Sequence, residues 1–319
     1  MVLKVSPTSK GYLFIAISGF LFGCSGIFVN FLSAANVSIN IINFFRPFIS
    51  FIILFTYLIL RHRNYLKVDR KGILTLALLG IFSQTLANTF YFYTIEKTSM
   101  ATAVILLYTF PIFVTIIARV VYKELLTMPK IVALVVGLIG CFLTATGGSL
   151  EALSLNKPGL LLGIAAGLSF ALVIIITKSL VAKYHQLVIV CYTMGFGALF
   201  NFLLLNPRDL FLLEYNMPII LNLFAIGFFV ITLGYLFYTR GMSFNIQSSK
   251  ASIVMAIEVP VAVLASFVIF NEHISNIKFL GIILVFVAII LLEYGTTIPK
   301  FLKKNINPSE TRNLPKTTE

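Results

Sequence analysis

Two charged side chains stand in long apolar runs, where hydrocarbon makes a charge costly. Arg46 follows Phe44-Phe45 and precedes Pro47; Glu258 precedes Val259-Pro260. As binding groups they are complementary, Arg46 for a carboxylate and Glu258 for an amine or a proton. Each also has a structural reading. Arg46 could reach a membrane interface with its head in water, and Glu258 could stay neutral or hydrogen-bond between helices. Gln84 and Asn88 lie one helical turn apart, which suits a polar path or an interhelical bond. Tyr91, Tyr108 and Tyr235 offer hydroxyls and Phe22 a ring, for lining a cavity or for packing. Tyr93 and Tyr238 fall near the ends of apolar runs and read as interfacial anchors. Pro111 and Pro260 each remove a backbone donor and predict helix kinks.

This set can bind but has no evident means of making or breaking a bond. His62, His185 and His273 fall in separate connections, and Cys24, Cys141 and Cys191 in separate apolar runs. Their spacing gives no metal site, catalytic triad or disulfide framework, so no enzyme, cofactor or metal is expected. A Walker A loop is also missing, so the chain is not expected to drive anything with ATP by itself.

The elements that must position these residues follow from composition. Of the 319 residues 59% are hydrophobic and only 11% charged, with mean hydropathy +1.00. A soluble domain has about 25% charged residues, so this chain cannot build a polar shell, and lipid must cover much of its surface. A spanning helix needs about 20 mostly apolar residues. Ten segments qualify: 11–32, 39–60, 72–93, 99–121, 129–146, 158–180, 187–205, 217–238, 248–270 and 277–294. The first is too long for a signal-peptide core and reads as an uncleaved span despite Ser33-Ala34-Ala35. Period-two alternation is missing, which argues against a barrel.

The net charge of +13 is gathered in short clusters between the apolar runs, a mark of topology rather than of nucleic-acid binding. With both termini cytoplasmic, Arg61, Arg63, Lys67, Arg70 and Lys71 lie inside, as do Lys123, Lys130, Lys178, Lys183, Arg240 and Lys250. The outer connections hold only Lys97, Lys157, Arg208 and Lys278. The polar tail, 300–319, is expected to be a disordered cytoplasmic extension.

The chain also repeats itself. Phe92-Tyr93-Thr94 recurs as Phe237-Tyr238-Thr239, Pro111 and Glu124 as Pro260 and Glu272, and Gly19 and Phe22 as Gly167 and Phe170. The offsets stay between 145 and 149 residues, which argues for duplication of a five-helix unit. Five is odd, so the copies must face opposite ways, an architecture used by transporters to expose a central site to either side. Gly19/Gly23 and Gly163/Gly167 are small-xxx-small pairs that favour close helix packing, with dimerisation as the weaker alternative.

With these motifs, above all Leu107-Tyr108-Thr109-Phe110-Pro111 and Glu258-Val259-Pro260, the chain resembles the EamA-type branch of the drug/metabolite transporter superfamily. The expectation is an all-α membrane protein with ten transmembrane helices in two inverted five-helix repeats, 11–147 and 158–295. The resemblance implies a secondary transporter in a bacterial inner membrane, moving a small polar metabolite, an amino acid or a relative, most often outward. Efflux of drugs or toxic compounds is the alternative within transport, and a non-transporting membrane scaffold the alternative outside it. The expected partners are the lipid bilayer and a small-molecule substrate, with proton coupling through Glu258 as an option and no nucleic acid. Monomer and homodimer both remain open.

Overall fold

The computed structural model describes residues 7–151, 153, 156–271 and 273–294. Lys4, Glu272 and the 300–319 tail lie outside the described residues. Among those described, the chain is helical and without strands. Nine helices are long and apolar enough to cross a membrane: α1 Thr8–Ala34, α2 Ile39–Arg61, α3 Arg70–Lys97, α4 Met100–Val121, α5 Met128–Thr146, α6 Lys157–Val181, α7 Gln186–Leu204, α8 Met217–Met242 and α9 Ser248–Phe270. A shorter apolar helix, α10, covers Asn276–Leu292.

Local sequence explains many of the starts. Ser99 accepts the Thr102 N–H at 3.2 Å, Asn156 the Gly159 N–H at 3.3 Å and Asn216 the Ile219 N–H at 3.0 Å. Each side chain satisfies one of the amides that a helix start leaves without a partner.

α1 has a one-residue interruption at Cys24, and two other helices are broken in midcourse by two-residue turns. α4 is interrupted between Leu107 and Phe110, and α9 between Met255 and Glu258. Pro111 and Pro260 therefore occupy the first turn of a restarted helix, where a missing N–H interrupts little. α3 and α8 each contain a π-helical segment, Ile81–Leu86 and Ile226–Leu233. π segments are rare and gather at functional sites. Side chains hold both open: Thr232 Oγ1 donates to the Gly227 carbonyl at 2.8 Å, and Asn88 Nδ2 to those of Ser83 at 3.3 Å and Gln84 at 2.9 Å. The π segments start 145 residues apart and the breaks 148 apart, matching the offsets of the repeated motifs.

The small-residue pairs pack each half's first helix onto the other half's broken helix. A Cβ on Gly23 of α1 would lie 2.8 Å from the Glu258 carbonyl oxygen. A Cβ on Gly167 of α6 would lie 2.9 Å from the Leu106 carbonyl oxygen and from Thr109 Oγ1. Backbone cannot retreat as a flexible side chain can, so these glycines are needed for the close approach. Gly167→Val should therefore destabilise the fold by about 1–3 kcal/mol or more. Gly26, with nothing within 4 Å of an added Cβ, is the control, and Gly26→Ala should be neutral or slightly stabilising. Thermal unfolding in detergent compares them, and an unchanged midpoint for Gly167→Val would remove the packing argument.

One sequence expectation is corrected. Tyr238 is 3% exposed and sits in the main apolar cluster with Tyr108, Met242 and Ile246, so it is no interfacial anchor. The helix runs on to Met242, which moves Tyr238 inward. Tyr93 is exposed, as an anchor would be.

Candidate functional site

Within the bundle, side chains from eight helices converge. α2 supplies Arg46, which is only 8% exposed. Its Nη2 donates to Asn43 Oδ1 at 2.8 Å, and its Nε has no partner. The ion pairs among the described residues are Lys97–Glu96, Lys130–Glu124 and Lys178–Glu124. Arg46 thus carries a buried charge that no protein carboxylate in this set balances, and so it does not lie at an interface with its head in water.

The π segment of α3 places buried Ser83 and Gln84 beside the Tyr235 hydroxyl of α8. Tyr235 also lies within electrostatic range of Arg46 and of Glu258. Phe22 of α1 packs edge-on against Tyr235, with ring centroids 5.1 Å apart. Asn201 of α7 stitches the corner from behind, donating to the Asn43 carbonyl at 2.9 Å and the Gln84 carbonyl at 3.2 Å.

Glu258 opens the restarted half of α9, with the Tyr108 hydroxyl, at the break of α4, beside its carboxylate. Tyr91 on α3 lies within its electrostatic range, as does Cys141 on α5. Cys141 also lines a narrow crevice with Tyr108, Pro111, Ile253 and Ala256. No salt bridge joins Glu258 to a cation among the described residues.

The residues singled out from sequence thus form one neighbourhood with two poles. Arg46, Gln84, Tyr235 and Phe22 gather at one, and Tyr91, Tyr108 and Glu258 at the other, with Tyr235 in reach of both charges. Asn88 donates to two carbonyls within α3 and supports the π segment. Pro111 and Pro260 mark the helix restarts beside the second pole. Sequence reading missed Asn43, Ser83 and Asn201, small polar residues with no motif of their own. Their only signal was polarity inside apolar runs.

A helical bundle with apolar spanning helices, two broken helices and a buried polar centre defines a small-molecule transporter of the membrane. The chain belongs to the EamA-like transporter family, whose model matches residues 9–146 and again 157–294. It is similar to the uncharacterized inner membrane transporter YicL of Salmonella typhimurium, at 26% identity over 91% of this chain and 97% of that protein. An uncharacterized transporter of Archaeoglobus fulgidus is 28% identical over 84% of this chain and 90% of its own. An S-adenosylmethionine uptake transporter of Rickettsia conorii is 24% identical over 79% and 82%. A solved crystal structure matches 92% of this chain and 99% of its own with a TM-score of 0.75 at 14% identity, a likeness of fold.

Proposed function

We propose that this protein is a secondary carrier for a small zwitterionic metabolite of the amino-acid type. The observation that carries the reading is the pair of uncompensated charges, Arg46 and Glu258, with Tyr235 in range of both. Isolated buried charges are costly, and a substrate bearing a carboxylate and an ammonium would balance both on binding. Phe22, Tyr91, Tyr108 and Tyr235 would then enclose its apolar part. S-adenosylmethionine, named for three Rickettsia relatives, has an α-amino-acid end of this kind. Its sulfonium would also suit aromatic faces.

Movement follows alternating access between two inverted five-helix halves, with α10 as the tenth crossing. Support comes from the recurrence of breaks, π segments and glycine contacts at nearly one offset. The Lys and Arg bias favours both termini in the cytoplasm. Net direction is set by the gradients across the membrane, so the reading covers uptake as well as export.

Purified protein in liposomes tests it. Labelled neutral amino acids and S-adenosylmethionine should enter in a saturable way. Decarboxylated and N-acylated analogues should compete about tenfold or more less well, as loss of one charge-assisted contact implies. Equal transport of all analogues would favour the drug-efflux reading, which the aromatic lining also fits. Absence of any flux would favour a scaffold.

A further inference from the structure

Glu124 stands just beyond the end of α4, where sequence marked it only as half of a repeated proline–glutamate spacing. Lys123 before it is left-handed, φ +53°, and turns the chain so that the Glu124 N–H reaches the Ala118 carbonyl at 3.2 Å. The carboxylate is thereby delivered to the first turn of α9. One oxygen accepts the Ser248 N–H at 2.6 Å and Lys178 Nζ at 2.8 Å. The other accepts the Ser249 N–H at 3.2 Å and the Ser249 hydroxyl at 2.5 Å. Lys130 Nζ lies at 4.0 Å. The side chain of Glu124 is 5% exposed.

A carboxylate at a helix start meets unpaired amides and the positive end of the helix dipole. Burial pushes the Glu124 carboxyl up, but hydrogen bonds from Lys178 and Ser249 outweigh it and hold the group below the usual carboxylate range. The cap therefore stays charged at neutral pH. A neighbouring contact has the same direction: Tyr122 donates to the Ile175 carbonyl of α6 at 2.7 Å, and Lys178 lies over its ring. These bonds join the first family repeat, which ends in α5, to α6 and α9 of the second. They lie at the Lys-rich ends of the helices. The piece of α9 they hold, Ser248–Met255, ends at the break before Glu258.

We infer that Glu124 is a positioning residue of the transport cycle, a lock that holds the start of α9 against α4 and α6 and closes the cytoplasmic mouth of the site. Release of the cap frees the Ser248–Met255 piece to pivot at the break and open a path to Glu258. The inference rests on the carrier reading and on the cytoplasmic placement of this end.

The test measures access. In full-length protein carrying Cys24→Ala, Cys141→Ala and Cys191→Ala, Ser252→Cys places a thiol one turn inward from the cap, at a fully buried position. A membrane-impermeant maleimide is applied to inside-out and right-side-out vesicles. With Glu124 present, labelling should be slow from both faces. Glu124→Gln should speed labelling from the cytoplasmic face by about tenfold or more, the population shift expected when a charge-assisted network is lost. Glu124→Asp, which keeps the charge, should recover much of the protection. A lower melting temperature with unchanged labelling would make Glu124 a stabilising residue only and overturn the lock. Should Glu124→Gln fail to accumulate, Lys178→Met is read in the same way, and unchanged labelling again overturns it. Faster labelling from the opposite face would support the lock and reverse the orientation. Faster labelling without zwitterion flux in liposomes would support the lock and remove the substrate reading.

Discussion

Glu258→Gln should leave the folded protein abundant and raise the KM for a zwitterionic substrate by about 10- to 100-fold. The amide keeps the size of the side chain and an acceptor oxygen beside Tyr108. What it loses is the charge opposite a substrate ammonium. Hydrogen bonds to charged groups contribute about 1.5–3 kcal/mol, and each 1.4 kcal/mol is tenfold in affinity. The effect should be selective, so a substrate analogue lacking the amine should bind the variant and the parent alike. Flux in liposomes at matched protein level checks both. Unchanged kinetics for the zwitterion, or an equal loss for the deaminated analogue, would return Glu258 to a packing role. In that case its place beside Tyr108 would only pack α9 against α4.

The mirror experiment concerns Arg46. Arg46→Ala should weaken zwitterion transport by about 30-fold or more, since truncating one partner of a buried charge pair costs about 2–5 kcal/mol. Here the insensitive analogue should be the decarboxylated amine. Arg46→Lys should recover only part of the loss, because an ammonium keeps the charge but not the planar fork that matches a carboxylate. Arg46 also holds Asn43, so thermal stability must be measured beside flux. A variant that loses stability and transports zwitterion and amine equally badly would show that Arg46 supports the corner between α2 and α7 and leaves the substrate untouched. The two variants together form a double-mutant cycle. Independent poles at opposite ends of one substrate should give nearly additive losses, and strong coupling would place both charges on a single group.

The Glu124 lock illustrates the limits of reading a sequence in this class. Glu124 stands beside Lys123 in a short polar connection, and such residues usually face solvent. The useful signal was its recurrence as Glu272 after Pro260, which sequence reading spent on the repeat rather than on chemistry. That Ser248 and Ser249, over a hundred residues away, bring their amides to it is a tertiary fact. The π segments of α3 and α8 were invisible for a related reason. Nothing in Ile81–Leu86 or Ile226–Leu233 departs from ordinary helix composition, and the extra residue per turn is settled by packing and by the bonds from Asn88 and Thr232.

By itself the sequence determined that this is a helical membrane protein, placed nine helices long and apolar enough to cross a membrane, and showed where polar groups interrupt them. Those conclusions follow from hydropathy, from the need to satisfy backbone bonds in lipid and from the spacing of glycines and prolines, all of which act locally. Only the tertiary structure decided that Tyr238 is core, that Pro111 and Pro260 restart helices, that Arg46 is buried, and that among the described residues neither Arg46 nor Glu258 forms a salt bridge. Those features depend on which helices approach closely enough at Gly23 and Gly167 to bring distant side chains together. In a chain whose segments are nearly all apolar, hydrophobicity does not specify those neighbours; close packing and a few long-range polar bonds do.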